Sequence, residues 1–203
     1  MINKKIVIVG YSGHSYGCIE VALDHNYSIV GYYDISAKNE NPYNLKYLGH
    51  EKTIKQNDIP FISIGDNSVR KKIYEVFESK NICLNTCIVH KSSIISKTSL
   101  LQNQTFVNAN VIINPQSEIG VGCIINSGAI IEHDCVVGKF SHVAPGAVLL
   151  GNVSIGVGCM IGSNSVIKQG VSIGDNVLIG AGSVVLNDLE SNSVYVGNPA
   201  RKI

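Results

Sequence analysis

The chain has 203 residues, 45% of them apolar, and a formal net charge of +1 at neutral pH. That length holds one large domain or two small ones, and so balanced a charge, with no dense basic run, gives no case for nucleic-acid or anionic-membrane binding. The start, Met1-Ile2-Asn3-Lys4-Lys5 before Ile6-Val7-Ile8-Val9, is too short an apolar run for a secretory signal or a membrane span. The chain therefore reads as cytoplasmic, with its six cysteines reduced.

Lys5 to Gly10 reads as a buried strand, followed by a glycine-containing turn over Gly10-Tyr11-Ser12-Gly13-His14-Ser15 and a helix to about His25. A second strand covers Ser28 to Asp34 and a third Pro60 to Gly65. Asp66 or Asn67 can cap the next helix, in which Val69, Ile73, Val76 and Phe77 share one face. Strands alternating with helices imply a small parallel α/β unit over residues 1–86, a Rossmann-like βαβαβ domain. Such units bind ligands at the carboxyl ends of their strands, here Gly10 to Ser15, Asp34 to Ile35 and Gly65 to Asn67. The turn lacks the three-glycine dinucleotide fingerprint, which argues against a nicotinamide or flavin site. One nucleotide with its phosphates near the helix start fits, and so does a tight turn with no ligand.

From Val89 the pattern changes. An aliphatic residue recurs at every sixth position: Val89, Ile95, Leu101, Val107, Ile113, Ile119, Ile125, Ile131, Val137, Val143, Leu149, Ile155, Ile161, Ile167, Ile173, Ile179 and Val185. A period of six fits neither an amphipathic helix nor a free alternating strand. It fits three short strands wrapped around a triangular core, about eighteen residues per turn, with turns stacking roughly 4.8 Å apart. Each aliphatic residue is then an inward pillar of a parallel β-helix over 87–186, leaving 187–203 as a C-terminal tail. Two places before the pillar lies a tighter inward position, which holds Cys87, Cys123, Cys135 and Cys159 as core thiols. Glycine often follows the pillar, as at Gly120, Gly138, Gly156 and Gly162, and is expected there for the backbone angles of a sharp corner. Cys83 and Cys87 are four apart but nothing completes a zinc site, so no metal is expected. Charged residues are sparse from 103 to 186, and such neutral flanks point to a second subunit covering at least one side.

Titratable groups in such a coil are informative. Glu132-His133-Asp134 follows the pillar Ile131, and His142 precedes the pillar Val143, so all four sit outside the core or at a corner. A neutral imidazole can accept a proton while a carboxylate fixes its tautomer and stabilises the imidazolium. His133 is the candidate base and Asp134 its partner, because Glu132 takes the position directly after the pillar. His142 by itself reads as a solvated histidine. Gly151 comes one coil after His133 and should stack on it, with its N–H offered to a developing oxyanion. Ser127, Pro145, Ser163 and Ala181 form a second eighteen-spaced column, a shallow trough for a long, thin ligand.

Together these features resemble the left-handed β-helix (hexapeptide-repeat) acetyltransferases. Within them they look like the nucleotide-amino-sugar N-acetyltransferases grouped with the sialic acid O-acetyltransferases, the PglD/NeuD type. The resemblance rests on Val9 to His14, Ile64 to Ile73, Ile131 to Gly138, Phe140-Ser141-His142-Val143 and Val196-Gly197-Asn198-Pro199-Ala200. It implies a homotrimer with acetyl-CoA, the co-substrate, lying between neighbouring prisms, and no metal. It also implies a front domain that holds a nucleotide-linked amino sugar. The implied reaction is N-acetylation of the C4 amine of a nucleotide-linked 4-amino-4,6-dideoxysugar; O-acetylation of a sialic acid or related sugar hydroxyl is the alternative. By position, His133 becomes the general base and Asp134 tunes it. His142 lies beside the thioester, Gly151 offers its N–H to the acetyl oxygen, and Ser163 and Ala181 follow the pantetheine. Ser12, Gly13, His14, Asp34, Ile35, Gly65 and Arg70 fall where the nucleotide and its diphosphate are contacted. Some relatives carry glutamate in place of Asp134, so its contact with His133 is either direct or through water. Some pair two acids where this chain has Asp34-Ile35, which leaves the nucleobase open. A γ-type carbonic anhydrase on the same prism would need three histidines around zinc, and a binding module without catalysis would have no use for the Glu-His-Asp cluster.

Overall fold

The computed structural model describes residues 4–25 and 27–203. The first three residues of the start discussed above lie outside that range. In β1 (Lys5–Val9) every residue after the first is buried, as a strand covered on both faces requires. It lies between β2 (Ser28–Tyr33) and β4 (Pro60–Ile62), and β3 (Tyr47–Gly49) extends the sheet to the order β3-β2-β1-β4, all parallel. β3 escapes the sequence reading because three half-buried residues carry no alternation. The helices are α1 (Gly13–Asp24) and α2 (Asn67–Ser79), the latter capped by Asp66, whose Oδ1 accepts from Val69 N at 2.9 Å. The inner stripe of α2 is Arg70, Ile73, Tyr74 and Phe77. This corrects the expected Val69-Ile73-Val76-Phe77 face: Val69 and Val76 are 42% and 44% exposed, because a buried arginine that hydrophobic patterning ignores turns the helix.

From Ile88 the chain forms two-residue strands, Ile88–Val89 through Val184–Val185, each ending on one of the pillars. They build three parallel sheets. Face I begins at Ile88–Val89, face II at Ile94–Ile95 and face III at Leu100–Leu101, and each strand pairs with the one eighteen residues on, as in Ile124↔His142, Ile130↔Val148 and Glu118↔Val136. Pillars from Val107 onward are at most 4% exposed, whereas Val89, Ile95 and Leu101 are only partly buried, since no lap precedes theirs. Cys87 belongs to that open first lap and is half-buried, against the expectation of a core thiol; Cys123, Cys135 and Cys159 are buried. Residues 187–203 extend the winding. Leu189 bridges Ile173 on face III, Val194–Val196 pairs with Leu178–Ile179 on face I, and Arg201–Lys202 turns back antiparallel.

The corners correct the reading of the glycines. Positive φ falls three residues after the pillar, at every sixth residue from Gln104 to Gly182, with values between +53° and +75°. Glycine, asparagine, glutamine, Asp134 and Phe140 take these positions. A Cβ on Gly138, directly after a pillar, would stand 2.5 Å from the carbonyl of Gly156 on the next lap. The post-pillar glycine is thus required by the close approach of stacked backbones, not by its angles.

The III/I corner column, Gln104, Gly122, Phe140 and Gly158, carries the front domain. Gln104 extends β4 sideways: its Oε1 accepts from Ile62 N and its Nε2 donates to Pro60 O, both at 2.9 Å. Arg70 donates through Nε to Gly122 O at 2.7 Å and through Nη2 to Phe140 O at 2.9 Å. Asn67 Nδ2 donates to Cys159 O at 2.9 Å. The α1 core residues Cys18, Ile19 and Ala22 share a cluster with Ile88, Phe106 and Ile124, the first three outward side chains of face I.

Candidate active site

At the II/III corner the left-handed backbone of Asp134 (φ +59°) turns its carboxylate back onto the preceding side chain. Asp134 Oδ2 lies 2.7 Å from His133 Nδ1, a direct contact. A carboxylate only accepts, so Nδ1 carries the proton and Nε2 keeps a free lone pair. Glu132 is held elsewhere, accepting from Asn114 Nδ2 at 3.0 Å one lap back. Gly151 stacks against the ring: a Cβ there would lie 2.7 Å from His133 Nε2 and Cε1. Asn152 N donates to His133 O at 2.9 Å, and among the described residues the Gly151 N–H has no acceptor within the chain. An imidazole lone pair and an unused amide therefore share one corner, the His133 ring exposed and Gly151 buried against it.

A groove of 760 Å³ runs along face I, floored by His142, Met160 and Leu178 and walled by α2 residues including Asn67, Ser68, Lys71 and Lys72. His142 points away from the prism core as expected, but it is not simply solvated, because the front domain covers it. Its ring centroid is 6.4 Å from that of His14, which stands edge-on to Phe106 at 5.5 Å. Burial, with the nearby Arg70 charge, pulls His14 and His142 each down to about 4, so both are neutral at physiological pH.

A smaller cavity of 240 Å³ opens at the strand ends of the front domain, lined by Gly10, Tyr11, Ser12, Asp34, Ile35, Lys38, Glu51, Ile64, Val69 and Ile73. Ser12 and Gly13 are exposed at the start of α1, where Ser15 Oγ accepts from Ser12 N at 2.8 Å. Asp34 Oδ2 accepts from Tyr11 N at 2.8 Å and Oδ1 pairs with Lys38 at 3.0 Å, while Ile35 is 74% exposed. Gly65 lies between this cavity and the groove, its Cα facing His14. Arg70 is the exception among the expected ligand contacts. It is 1% exposed, and its five N–H donors meet Gly122 O, Ile64 O, Gly65 O, Asn67 Oδ1 and Phe140 O. No donor remains for a diphosphate, so Arg70 is corrected to a bolt between the domains.

The remaining expected residues separate within one chain. His133, Asp134 and Gly151 occupy the II/III corner; His142 is on face I; Ser163 and Ala181 are on the I/II corner, two residues past face I pillars. In a triangle the II/III corner lies opposite face I. Asn67, expected at a ligand-binding strand end, also ties the front domain to the coil through Cys159 O, whereas Gln104, Asn126 and Phe140 were not anticipated as site or interface residues. Only Asn126 left a trace in the sequence, sharing its position after a face I pillar with Asn108 one lap earlier.

Comparison with known proteins agrees with this architecture. Residues 5–77 match the PglD N-terminal domain, 134–169 the bacterial transferase hexapeptide (six repeats) and 152–187 the hexapeptide repeat of succinyl-transferase. The acetyltransferase domain of PglB from Neisseria gonorrhoeae, solved with acetyl coenzyme A, is 26% identical with a TM-score of 0.92, over 99% of this chain and 100% of that one. PerB from Caulobacter crescentus, solved with CoA and GDP-perosamine, is 29% identical with a TM-score of 0.90, over 100% and 98%. WeeI from Acinetobacter baumannii, at 21% identity and a TM-score of 0.80, shares the fold. A PglD N-terminal domain set before hexapeptide repeats on a triangular coil gives the chain the architecture of the left-handed β-helix acetyltransferases.

Proposed function

We propose that this protein transfers an acetyl group from acetyl-CoA to the C4 amine of a nucleotide-linked 4-amino-4,6-dideoxysugar. The observation that carries the reading is the corner where Asp134 holds His133 and Gly151 stacks beneath its ring. His133 Nε2 takes a proton from the amine as that nitrogen attacks the thioester carbonyl, the Gly151 N–H receives the developing oxyanion, and Asp134 stabilises the imidazolium. The thiolate of coenzyme A leaves as the C–S bond breaks. The 240 Å³ cavity suits a nucleotide, with its diphosphate at Ser12 and Gly13 on the positive end of α1 and its sugar directed past Gly65 toward the groove. The likeness to PerB, solved with GDP-perosamine, supports an amino-sugar acceptor. On this reading the front domain (1–86) takes the nucleotide, and the coil (87–186, with 187–203 as its end piece) takes the acetyl donor.

The reading requires more than one copy of the chain. His142, Ser163 and Ala181 can join His133 and Gly151 in one site only if the II/III corner of one prism meets face I of another. Face II supplies a surface for such an assembly: its outward column is Ile94, Ile112, Ile130, Val148, Val166 and Val184, β-branched throughout. We assign a homotrimer in the cytoplasm, where the free cysteines stay reduced. No helix among the described residues is long and apolar enough to cross a membrane.

The test is thiol release from acetyl-CoA against uridine-, thymidine- and guanosine-linked 4-amino-dideoxysugars, with a free sialic acid as the hydroxyl arm. His133→Ala is expected to lose at least about 10²-fold in turnover with the assembly intact by light scattering. Undiminished turnover in that variant rules out His133 as the base, and transfer to the hydroxyl alone overturns the amine assignment.

A further inference from the structure

Asn108 and Asn126 follow the face I pillars Val107 and Ile125, one lap apart. A backbone donor orients each amide: Ala109 N donates to Asn108 Oδ1 and Ser127 N to Asn126 Oδ1, both at 2.8 Å. Each Nδ2 is then left as the free donor. Asn108 Nδ2 donates to Asn126 Oδ1 at 3.0 Å, and Asn126 Nδ2 lies 3.3 Å from His142 Nε2. An amide NH2 can only donate, so Nε2 must present its lone pair and the ring proton sits on Nδ1. His142 Nδ1 meets no protein acceptor among the described residues, and the side chain forms part of the groove floor.

Building on the acetyl-transfer reading, we propose that Asn108 and Asn126 are positioning residues that lock His142 in the Nδ1–H tautomer. His142 thereby serves transfer as a hydrogen-bond donor to a substrate oxygen in the groove, not as a second base. The surroundings agree. His14, itself in contact with Cys18, faces it from α1 and Arg70 acts on it from α2, with Asp66, Lys71, Lys72 and Glu75 along the groove wall. Burial and the Arg70 charge disfavour an imidazolium there. A neutral ring donates from one nitrogen only, so the asparagine pair decides which one.

Asn126→Asp places an acceptor where the amide donor stood. In the neutral ring the proton then moves to Nε2, and Nδ1 becomes a lone pair aimed at the groove; protonating the ring restores Nδ1–H. The histidine nitrogens are read by ¹⁵N NMR, with the His142 signals assigned through His142→Gln. We expect Nδ1–H in the wild type and Nε2–H in Asn126→Asp. In the acetyl-CoA thiol-release assay, Asn126→Asp should lose about 10²-fold in turnover at pH 8, the loss typical of removing one transition-state donor. Its KM for acetyl-CoA should stay within about threefold. Its activity relative to wild type should recover as pH falls and His142 protonates. Asn108→Ala, one lap from Asn126 and two from His142, should give mixed tautomers and a smaller loss in turnover. An Nε2–H wild type, or an Asn126→Asp deficit confined to KM or constant with pH, overturns the proposal. Absence of thiol release by the wild type with every acceptor sinks the transferase reading and the donor role with it, whereas a wild-type Nε2–H tautomer sinks the positioning claim alone.

Discussion

Gly151→Ala isolates the packing of the proposed catalytic corner. The new Cβ would sit 2.7 Å from His133 Nε2 and Cε1 and 3.4 Å from Cδ2. Comfortable carbon contacts begin near 3.5 Å, so the ring must retreat by about 1 Å or swing away. Asp134 opposes the swing through its 2.7 Å contact with Nδ1. A displacement of that size at a reacting group costs about 10²-fold in rate. The backbone itself accepts alanine, because Gly151 is not among the residues with positive φ and its two adjacent corner positions carry side chains. Turnover in the thiol-release assay should therefore fall about 10²-fold, while the melting temperature moves by no more than about 2 °C. Turnover close to wild type would mean that the His133 ring does not work where it is packed. A large loss of stability would mean that Gly151 serves the stacking of laps instead.

Arg70→Ala should destabilise by at least about 3 kcal/mol in urea unfolding, since it orphans several buried carbonyls at the domain joint. Arg70→Lys should recover little of this, because one ammonium cannot reach acceptors spread over two domains; full recovery by lysine would refute the bolt. Acid should loosen the same joint. His14 and His142 are held near 4 against an ordinary 6.5, so the unfolded chain binds protons first. Their contribution is complete above about pH 6.5 and is lost as pH falls toward about 4, at roughly 1–3 kcal/mol per pH unit for the pair. Urea midpoints that stay flat from pH 7 to pH 5 would contradict this. Gly138→Ala should disrupt stacking against Gly156 and lower the midpoint strongly. Gly128→Asn, at a left-handed corner (φ +67°) with open space around it, should be nearly neutral, and equal effects from the two would refute the division of glycine roles.

The coil was legible because a pillar every six residues is a long-range constraint written locally: each of Val89 to Val185 must face the same axis. His133 and Gly151 were legible for the same reason, since eighteen residues always means one lap. The joint between the domains was not. Arg70 reads as a surface cation until Gly122 and Phe140 bring their carbonyls to it, and those residues lie on a corner defined only after folding. The stripe of α2 was misread through the same residue. Gln104 and Phe140 gave no warning either, because a left-handed corner normally selects asparagine or glycine and these two depart from that preference to meet the front domain. The split of the expected acetyl-donor residues among face I and two corners follows from counting strands around the triangle, which an eighteen-residue column taken alone does not reveal.

Each lap leaves its outward positions free to differ, and the three sides have diverged. Face I is covered over its first laps by α1 through Ile88, Phe106 and Ile124, then opens at His142, Met160 and Leu178. Face II presents only aliphatic side chains, while face III mixes Leu100 and Val136 with Glu118, Ser154 and Ser172. The proposed chemistry is assembled across laps, not within loops: His133 on Gly151, and Asn108 on Asn126 beside His142, are lap-to-lap contacts. Core packing and the proposed catalytic geometry thus rest on one register. A single residue inserted between Asn108 and Gly151 would shift the following pillars off the axis and break one of these stacks in the same stroke. That shared constraint accounts for an uninterrupted period of six through a region where ordinary surface loops tolerate insertion.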